Sequence, residues 1–204
     1  MKKIAFLTTL CLLATSSTFA QVDWSSKNFV FEVNTIQTHS LQQTAVSIFP
    51  DATLKNYYAP TASITAALCA GEGFLGIKYG ITSFETTSSH NELANISYLA
   101  IDARKCKNIS NNFEVFLDVS MGALFIDNTY QISEQQGNLK RYGCALELMV
   151  GIDYSFKKYY VGILGGLSEQ CFAGKPKGDI GVPITDDYYL NFGSTIGLCF
   201  GIRL

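Results

Sequence analysis

The 204-residue chain is poor in several features that mark soluble enzymes and nucleic-acid binders. It has four prolines, two histidines, one tryptophan and only 16% charged residues. Beyond residue 20 it lacks an apolar run of the roughly 20 residues that a membrane-crossing helix needs. Any crossing of a bilayer would have to be made by strands closed into a barrel, because lipid cannot satisfy an open backbone edge. A net charge of −2 provides no basic footprint, so no nucleic-acid partner is expected. No Cys-x-x-Cys occurs, and His39 and His90 have no ligand spacing with the cysteines, so neither a metal nor a cofactor is expected.

The first residues read as an export signal: Lys2 and Lys3, an apolar run from Ile4 to Ala14, then a small and hydroxylated stretch ending at Ala20. Residues 1–20 are expected to be a cleaved signal peptide and residues 21–204 one domain. Cys11 has no lipobox before it, which argues against a lipid anchor. Five cysteines remain after cleavage: Cys69, Cys106, Cys144, Cys171 and Cys199. Export permits disulfides, and the odd count leaves at least one thiol unpaired or intermolecular.

The chain is rich in Phe, Tyr and Gly, and its residues alternate. From Tyr188 to Leu204 one face carries Leu190, Phe192, Ile196, Leu198, Phe200 and Ile202, and the other Asn191, Gly193, Gly197, Cys199, Gly201 and Arg203. A period of two with one bulky apolar face and one small or polar face is the pattern of a transmembrane strand. The same code runs through Tyr142 to Gln170. A two-residue turn at Lys157-Lys158 would pair Phe156 with Tyr159, Tyr154 with Val161, Ile152 with Ile163 and Leu148 with Leu167, all pointing outward. A one-residue slip would turn Glu147 and Asp153 toward lipid. This register also sets Cys144 opposite Cys171, which makes them a candidate disulfide or simply two small neighbours.

Weaker copies of the pattern cover Asn28 to Gln37, the strands around Ile64 to Leu68 and Leu75 to Ile81, Ser97 to Lys105, and Phe113 to Phe125. Outward residues would include Phe29, Phe31, Val33, Leu99, Ile101, Ala103, Val115, Leu117, Val119 and Met121. The expected fold class is all-β: an antiparallel up-and-down transmembrane β-barrel of about eight strands. Three short turns would face the periplasm with both chain ends. Four long loops, Thr38 to Pro60, Thr86 to Leu93, Asn128 to Leu139 and Cys171 to Asp187, would be extracellular.

Several of these segments resemble the PorT-type family of small outer-membrane β-barrels: Tyr98-Leu99-Ala100-Ile101 with Lys105, Asn112 to Ala123, the hairpin Val150 to Ile163, and Gly197 to Arg203. Ala100 and Asp102 stand where that family has Glu and Pro, and the chain closes on Leu204 rather than an aromatic residue. The resemblance implies an eight-stranded barrel in the cell outer membrane, whose relatives mostly lack a known activity and in some cases assist secretion or gliding. Expected partners are outer-membrane lipid, the barrel-assembly machinery through the C-terminal strand, and an envelope protein through the loops. The protein is expected to be a monomer.

The inward charged residues would be Glu32, Lys78, Asp102, Arg104, Glu114, Asp118, Arg141, Glu147, Asp153 and Arg203. An eight-stranded barrel is only wide enough for side chains to fill it, so mixed signs point to a packed polar network rather than a pore. Two other readings compete. A lipid A-modifying enzyme would need a nucleophile and a histidine, and His39 and His90 do stand near Ser40, Ser88 and Ser89. No set of nucleophile, base and orienting group is recognisable there, so no enzymatic activity is expected. A soluble lipocalin-like barrel binding a small apolar ligand would need the same alternation in the opposite sense, with Ile196, Leu198 and Phe200 inside.

Overall fold

The computed structural model describes residues 28–40, 53–54, 58–69, 71–87, 92–132, 135–173 and 189–204. The signal segment, most of the first long connection, His90 with Ser88 and Ser89, and the Gly-Lys-Pro-Lys-Gly run from Gly174 lie outside these residues. The described residues form nine strands: β1 (Phe29–Ser40), β2 (Thr53–Leu54), β3 (Tyr58–Cys69), β4 (Gly73–Thr87), β5 (Leu93–Asn108), β6 (Phe113–Ile132), β7 (Gln135–Phe156), β8 (Tyr159–Ala173) and β9 (Tyr189–Arg203).

The two-residue β2 adds to β4 through Leu54 and Thr86. The other eight pair antiparallel with their neighbours in chain order, and β9 pairs with β1 to close the sheet. The result is an eight-stranded closed antiparallel barrel, as the alternation predicts.

Closure fixes the tilt. Following paired residues once round the barrel leads from Leu190 through Cys171, Cys144, Ala123, Leu99, Tyr79, Ile64 and Val33 to Phe200, ten positions further along β9. Ten residues of ~3.3 Å against eight strand spacings of ~4.8 Å set the strands at about 40° to the axis. At that tilt the outward apolar run from Phe113 to Phe125 rises about 30 Å, enough to cover the ~25 Å apolar band of an outer-membrane barrel.

The exterior carries that band on every side. Ile77, Ile101, Val150, Ile163, Ile196 and Leu198 are each at least half exposed. A ladder of rings borders the band at the turn end, running Phe113–Tyr154, Tyr154–Phe156, Phe156–Tyr159 and Tyr159–Phe200 at centroid separations of 5.1 to 6.4 Å. At the other end Phe125 and Tyr142 meet edge to face at 6.0 Å. The opposite-sense reading is thereby corrected: Ile196, Leu198 and Phe200 lie outside and Cys199 inside, so the apolar ligand chamber of a lipocalin is not built.

The β7–β8 hairpin has the expected register, with Phe156 opposite Tyr159 and Leu148 opposite Leu167. Lys157 occupies the left-handed region at φ 57°. A side chain there costs about 1–2 kcal/mol, a penalty glycine escapes. Lys157→Gly is expected to raise unfolding stability by up to about 1 kcal/mol after glycine's own entropy cost, measured as a higher urea midpoint.

Two expectations change. The segment Asn128 to Leu139 is not a long loop, since β6 and β7 stay paired up to Ile132 and Gln135 with only residues 133–134 between them. Here Tyr130 turns inward onto Gly137, and Leu139 is buried. The chain reads as loop because its exposed positions are polar, whereas the alternation simply continues above the apolar band. Ala103 and Val119 sit on the outward register directly opposite each other, yet both are buried. Alternation sets the direction of a side chain, not how far its neighbours cover it.

Candidate functional site

The lumen is filled in layers. In its middle lie Glu32 of β1, Lys78 of β4, Asp102 and Arg104 of β5, Asp118 of β6, and Glu147 and Asp153 of β7, none more than 6% exposed. Their positions follow from the inward parity of five different strands, which closure brings onto one axis.

Arg104 is the hub. Its guanidinium holds Glu32 through two bonds of 2.6 and 2.7 Å, reaches Asp118 at 3.0 Å and lies 3.5 Å from Asp153. Its faces rest on the Phe116 and Phe74 rings, 4.0 and 4.7 Å from their centroids. This planar fork can serve several carboxylates and stack at once, which an ammonium cannot do. Lys78 is the second cation, 2.9 Å from Glu147 and 4.0 Å from both Asp102 and Asp118.

Neutral donors complete the layer. The Tyr160 hydroxyl donates to Glu32 at 2.7 Å and the Asn34 amide at 2.9 Å. Ser120 donates to Glu147, Thr65 to Asp102, and the Cys199 thiol to Asp153. Tyr98, Tyr160 and Cys199 did not stand out among the charges in the sequence. The signal that could have found the two tyrosines is the residue opposite each. Tyr98 faces Gly80, Tyr160 faces Gly201, and Phe116 likewise faces Gly151. In each pair the ring lies where a Cβ on the glycine would stand. Gly201→Val should push the Tyr160 ring off Glu32 and cost about 1–3 kcal/mol as an overpacked core, read as a lower urea midpoint.

The remaining sequence-identified residues sit at the two ends. Arg203 and Glu114 form a two-bond pair near the turn-end mouth. They line a vestibule of about 290 Å³ that Cys69, Cys106 and Phe74 also border. Toward the loop end Arg141 donates to Asn128 at 3.0 Å, and Asn128 donates to Glu92 at 2.5 Å.

Between that cluster and the middle layer is a part the sequence reading missed. Phe84, Ile96, Leu124 and Ile126 point inward and, with Tyr98, make an apolar plug at most 2% exposed. Their even parity turns them inward just as it does the charges of the same strands, but nothing in the sequence marks an inward apolar residue as part of a plug.

His39 lies near the loop end of β1, paired across the sheet with Tyr58 and Ser194. Its suggested companions Ser88, Ser89 and His90 are outside the described residues. Among the described residues no cluster has the make-up of a metal site. Cys144 and Cys171 stand directly opposite on β7 and β8, and all five described cysteines are free thiols.

No protein-family model matches the sequence, and neither does any curated protein. Among solved structures the chain is similar to Neisserial surface protein A, with 8% identity over 88% of this chain and 98% of that one, at a TM-score of 0.53. It is also similar to the N-terminal β-barrel domain of Pseudomonas aeruginosa OprF, with 11% identity over 85% and 97% of the two chains at 0.44. For Ail, the attachment invasion locus protein of Yersinia pestis, the values are 9%, 88%, 99% and 0.47. At such identities the likeness is one of architecture. By its strand number, closure and filled interior, the chain has the fold of the small outer-membrane β-barrels.

Proposed function

We propose that this protein is a non-enzymatic, monomeric integral protein of the cell outer membrane, exported by the signal peptide at residues 1–20. Its lumen is a structural core, and its extracellular loops contact an envelope partner, in a role accessory to secretion, gliding or surface assembly as the PorT-type resemblance implies. The observation that carries this reading is the apolar band. A water-soluble protein rarely exposes an apolar patch beyond a few hundred Å², whereas here bulky apolar side chains circle the whole exterior, with a ladder of aromatic rings at the turn end. Strand β9, paired on both sides, offers the alternating C-terminal segment that barrel-assembly machinery recognises.

Fractionation tests it. The protein should stay with the outer membrane through an alkaline carbonate wash and run faster on gels when unboiled. Recovery from the periplasm or medium without detergent would end the membrane reading.

The Cys144–Cys171 pair is proposed as a cross-strand disulfide of the mature protein. Residues directly opposite on antiparallel strands have Cα atoms about 4.5–5.5 Å apart, inside the range a disulfide accepts. The two thiols would form one S–S bond, releasing two protons and passing two electrons to a disulfide-type oxidant of the periplasm. Mass spectrometry under non-reducing conditions should find the two half-peptides linked, and free thiols at both positions would rule the bridge out.

A further inference from the structure

The middle layer of the lumen holds more carboxylates than its cations can serve. Among the described residues, Glu32, Asp102, Asp118, Glu147 and Asp153 surround two cations, Lys78 and Arg104. The pairs at either end do not help, since Arg203 is engaged by Glu114 and Arg141 belongs to the Asn128 cluster. An unpaired ionised carboxylate in a closed, apolar-walled space is strongly unfavourable, and such a group takes up a proton instead.

The hydrogen bonds identify which one. Glu32 receives four donors, two of them from Arg104. Glu147 has Lys78 at 2.9 Å together with Ser120 and Tyr98, and Asp153 has Arg104 and the Cys199 thiol. Asp118 accepts from Arg104 Nε at 3.0 Å, and Nη2 of the same guanidinium stands 3.0 Å from the same oxygen. Asp102 has a single close donor, the Thr65 hydroxyl at 3.0 Å. The Oδ1 atoms of Asp102 and Asp118 are both buried without any partner, both stand 4.0 Å from the Lys78 ammonium, and the two residues are diagonal neighbours on the inner face of β5 and β6.

From this geometry we infer that Asp102 is a neutral carboxylic acid donating its proton to Asp118, so that the folded barrel binds one structural proton in its lumen. One proton satisfies both orphaned oxygens and reduces the local negative charge by one. A metal ion fits less well, because the Lys78 ammonium already stands 4.0 Å from each carboxyl and the described residues contain no metal cluster.

The consequence is a stability that depends on pH in a definite sense. The charged and titratable groups of the layer around Asp102 are Lys78 from β4, Asp118 from β6, Glu147 from β7 on the far side of Lys78, and Glu32 from β1 on the far side of Arg104, with Arg104 and Tyr98 on its own strand; Asp153 is reached through Arg104 and the β8 residue Tyr160 through Glu32. At neutral pH the native state keeps a proton that the unfolded chain releases, so the unfolding equilibrium moves toward the unfolded state as pH rises. The change is about tenfold per pH unit while the difference of one proton lasts. Asn in place of Asp102 keeps a donor toward Asp118 without the proton, and removes this dependence.

Infrared spectroscopy of the refolded full-length mature protein in detergent, with Asp102→Asn and Asp118→Asn beside it, tests the assignment. The wild type should show a protonated-carboxyl C=O band at neutral pH, and Asp102→Asn should lack it while unfolding in urea at an equal or higher midpoint. Asp118→Asn, which strips Arg104 of a carboxylate, should unfold at a lower midpoint. Absence of the band in the wild type, its persistence in Asp102→Asn, or equal destabilisation by both substitutions would overturn the proposal. If Asp118→Asn does not fold, the infrared comparison of wild type and Asp102→Asn decides alone.

Discussion

Replacing Leu198 with Arg is expected to abolish stable insertion or to lower the stability of the inserted barrel by about 2–4 kcal/mol, the cost of an arginine on the lipid face near the bilayer midplane. Leu198 lies on the outward face of β9, more than half exposed, with Ile163 opposite on β8. The side chain makes few internal contacts, so loss of packing cannot supply a cost of this size. In a water-soluble barrel the same change would be close to neutral, since substitutions at exposed sites usually stay within about 0.5 kcal/mol. Urea titration in lipid vesicles, read by the mobility difference between unboiled and boiled samples, separates the two. A near-zero effect would mean that this face meets water.

The second large effect is expected inside. Arg104→Met should destabilise the barrel by about 3–5 kcal/mol, because removing one partner from a buried ionic group leaves uncompensated charge behind. It strands Glu32, Asp118 and Asp153 together and removes the stacking on Phe116 and Phe74. Lys78→Met should cost less, since Lys78 makes one short contact, to Glu147, and two at 4.0 Å. Adding Glu32→Gln to Arg104→Met should restore part of the loss, as the most tightly held carboxylate then no longer needs a cation. Urea midpoints of the three variants give the order, and a costlier Lys78→Met would displace Arg104 from the centre of the network.

Much of this architecture is legible in the residues. The turn at Lys157-Lys158 sets the register of β7 and β8, because only one alignment keeps Glu147 and Asp153 off the apolar face, and the structure pairs those strands in that alignment. The ten inward charged residues could be listed by parity alone. Which of them meet could not, since contact across the lumen depends on strand tilt and on the ten-residue offset at closure. Neither is written in any single strand. Arg104 and Glu32 are 72 residues apart and touch only because β5 and β1 face each other across the axis.

The apolar plug was invisible for a related reason. Parity turns Ile96, Leu124 and Ile126 inward, but only the register between strands brings them together with Phe84. The β6–β7 extension was hidden by its polar exterior, which reads as loop although Tyr130 and Leu139 anchor its inner side.

A membrane-inserted barrel puts lipid against the face bearing Phe200 and leaves the face bearing Phe116 packed shut. These two residues lie at nearly the same depth, Phe200 half exposed on the exterior and Phe116 stacked on Arg104 within. Single-tryptophan proteins Phe200→Trp and Phe116→Trp, each with Trp24→Phe, can be refolded into vesicles whose acyl chains carry bromine. Fluorescence of the Phe200→Trp protein should be strongly quenched and that of Phe116→Trp left nearly unchanged. Equal quenching, or quenching of the inner probe alone, would mean that the Phe200 face is not the one that meets lipid.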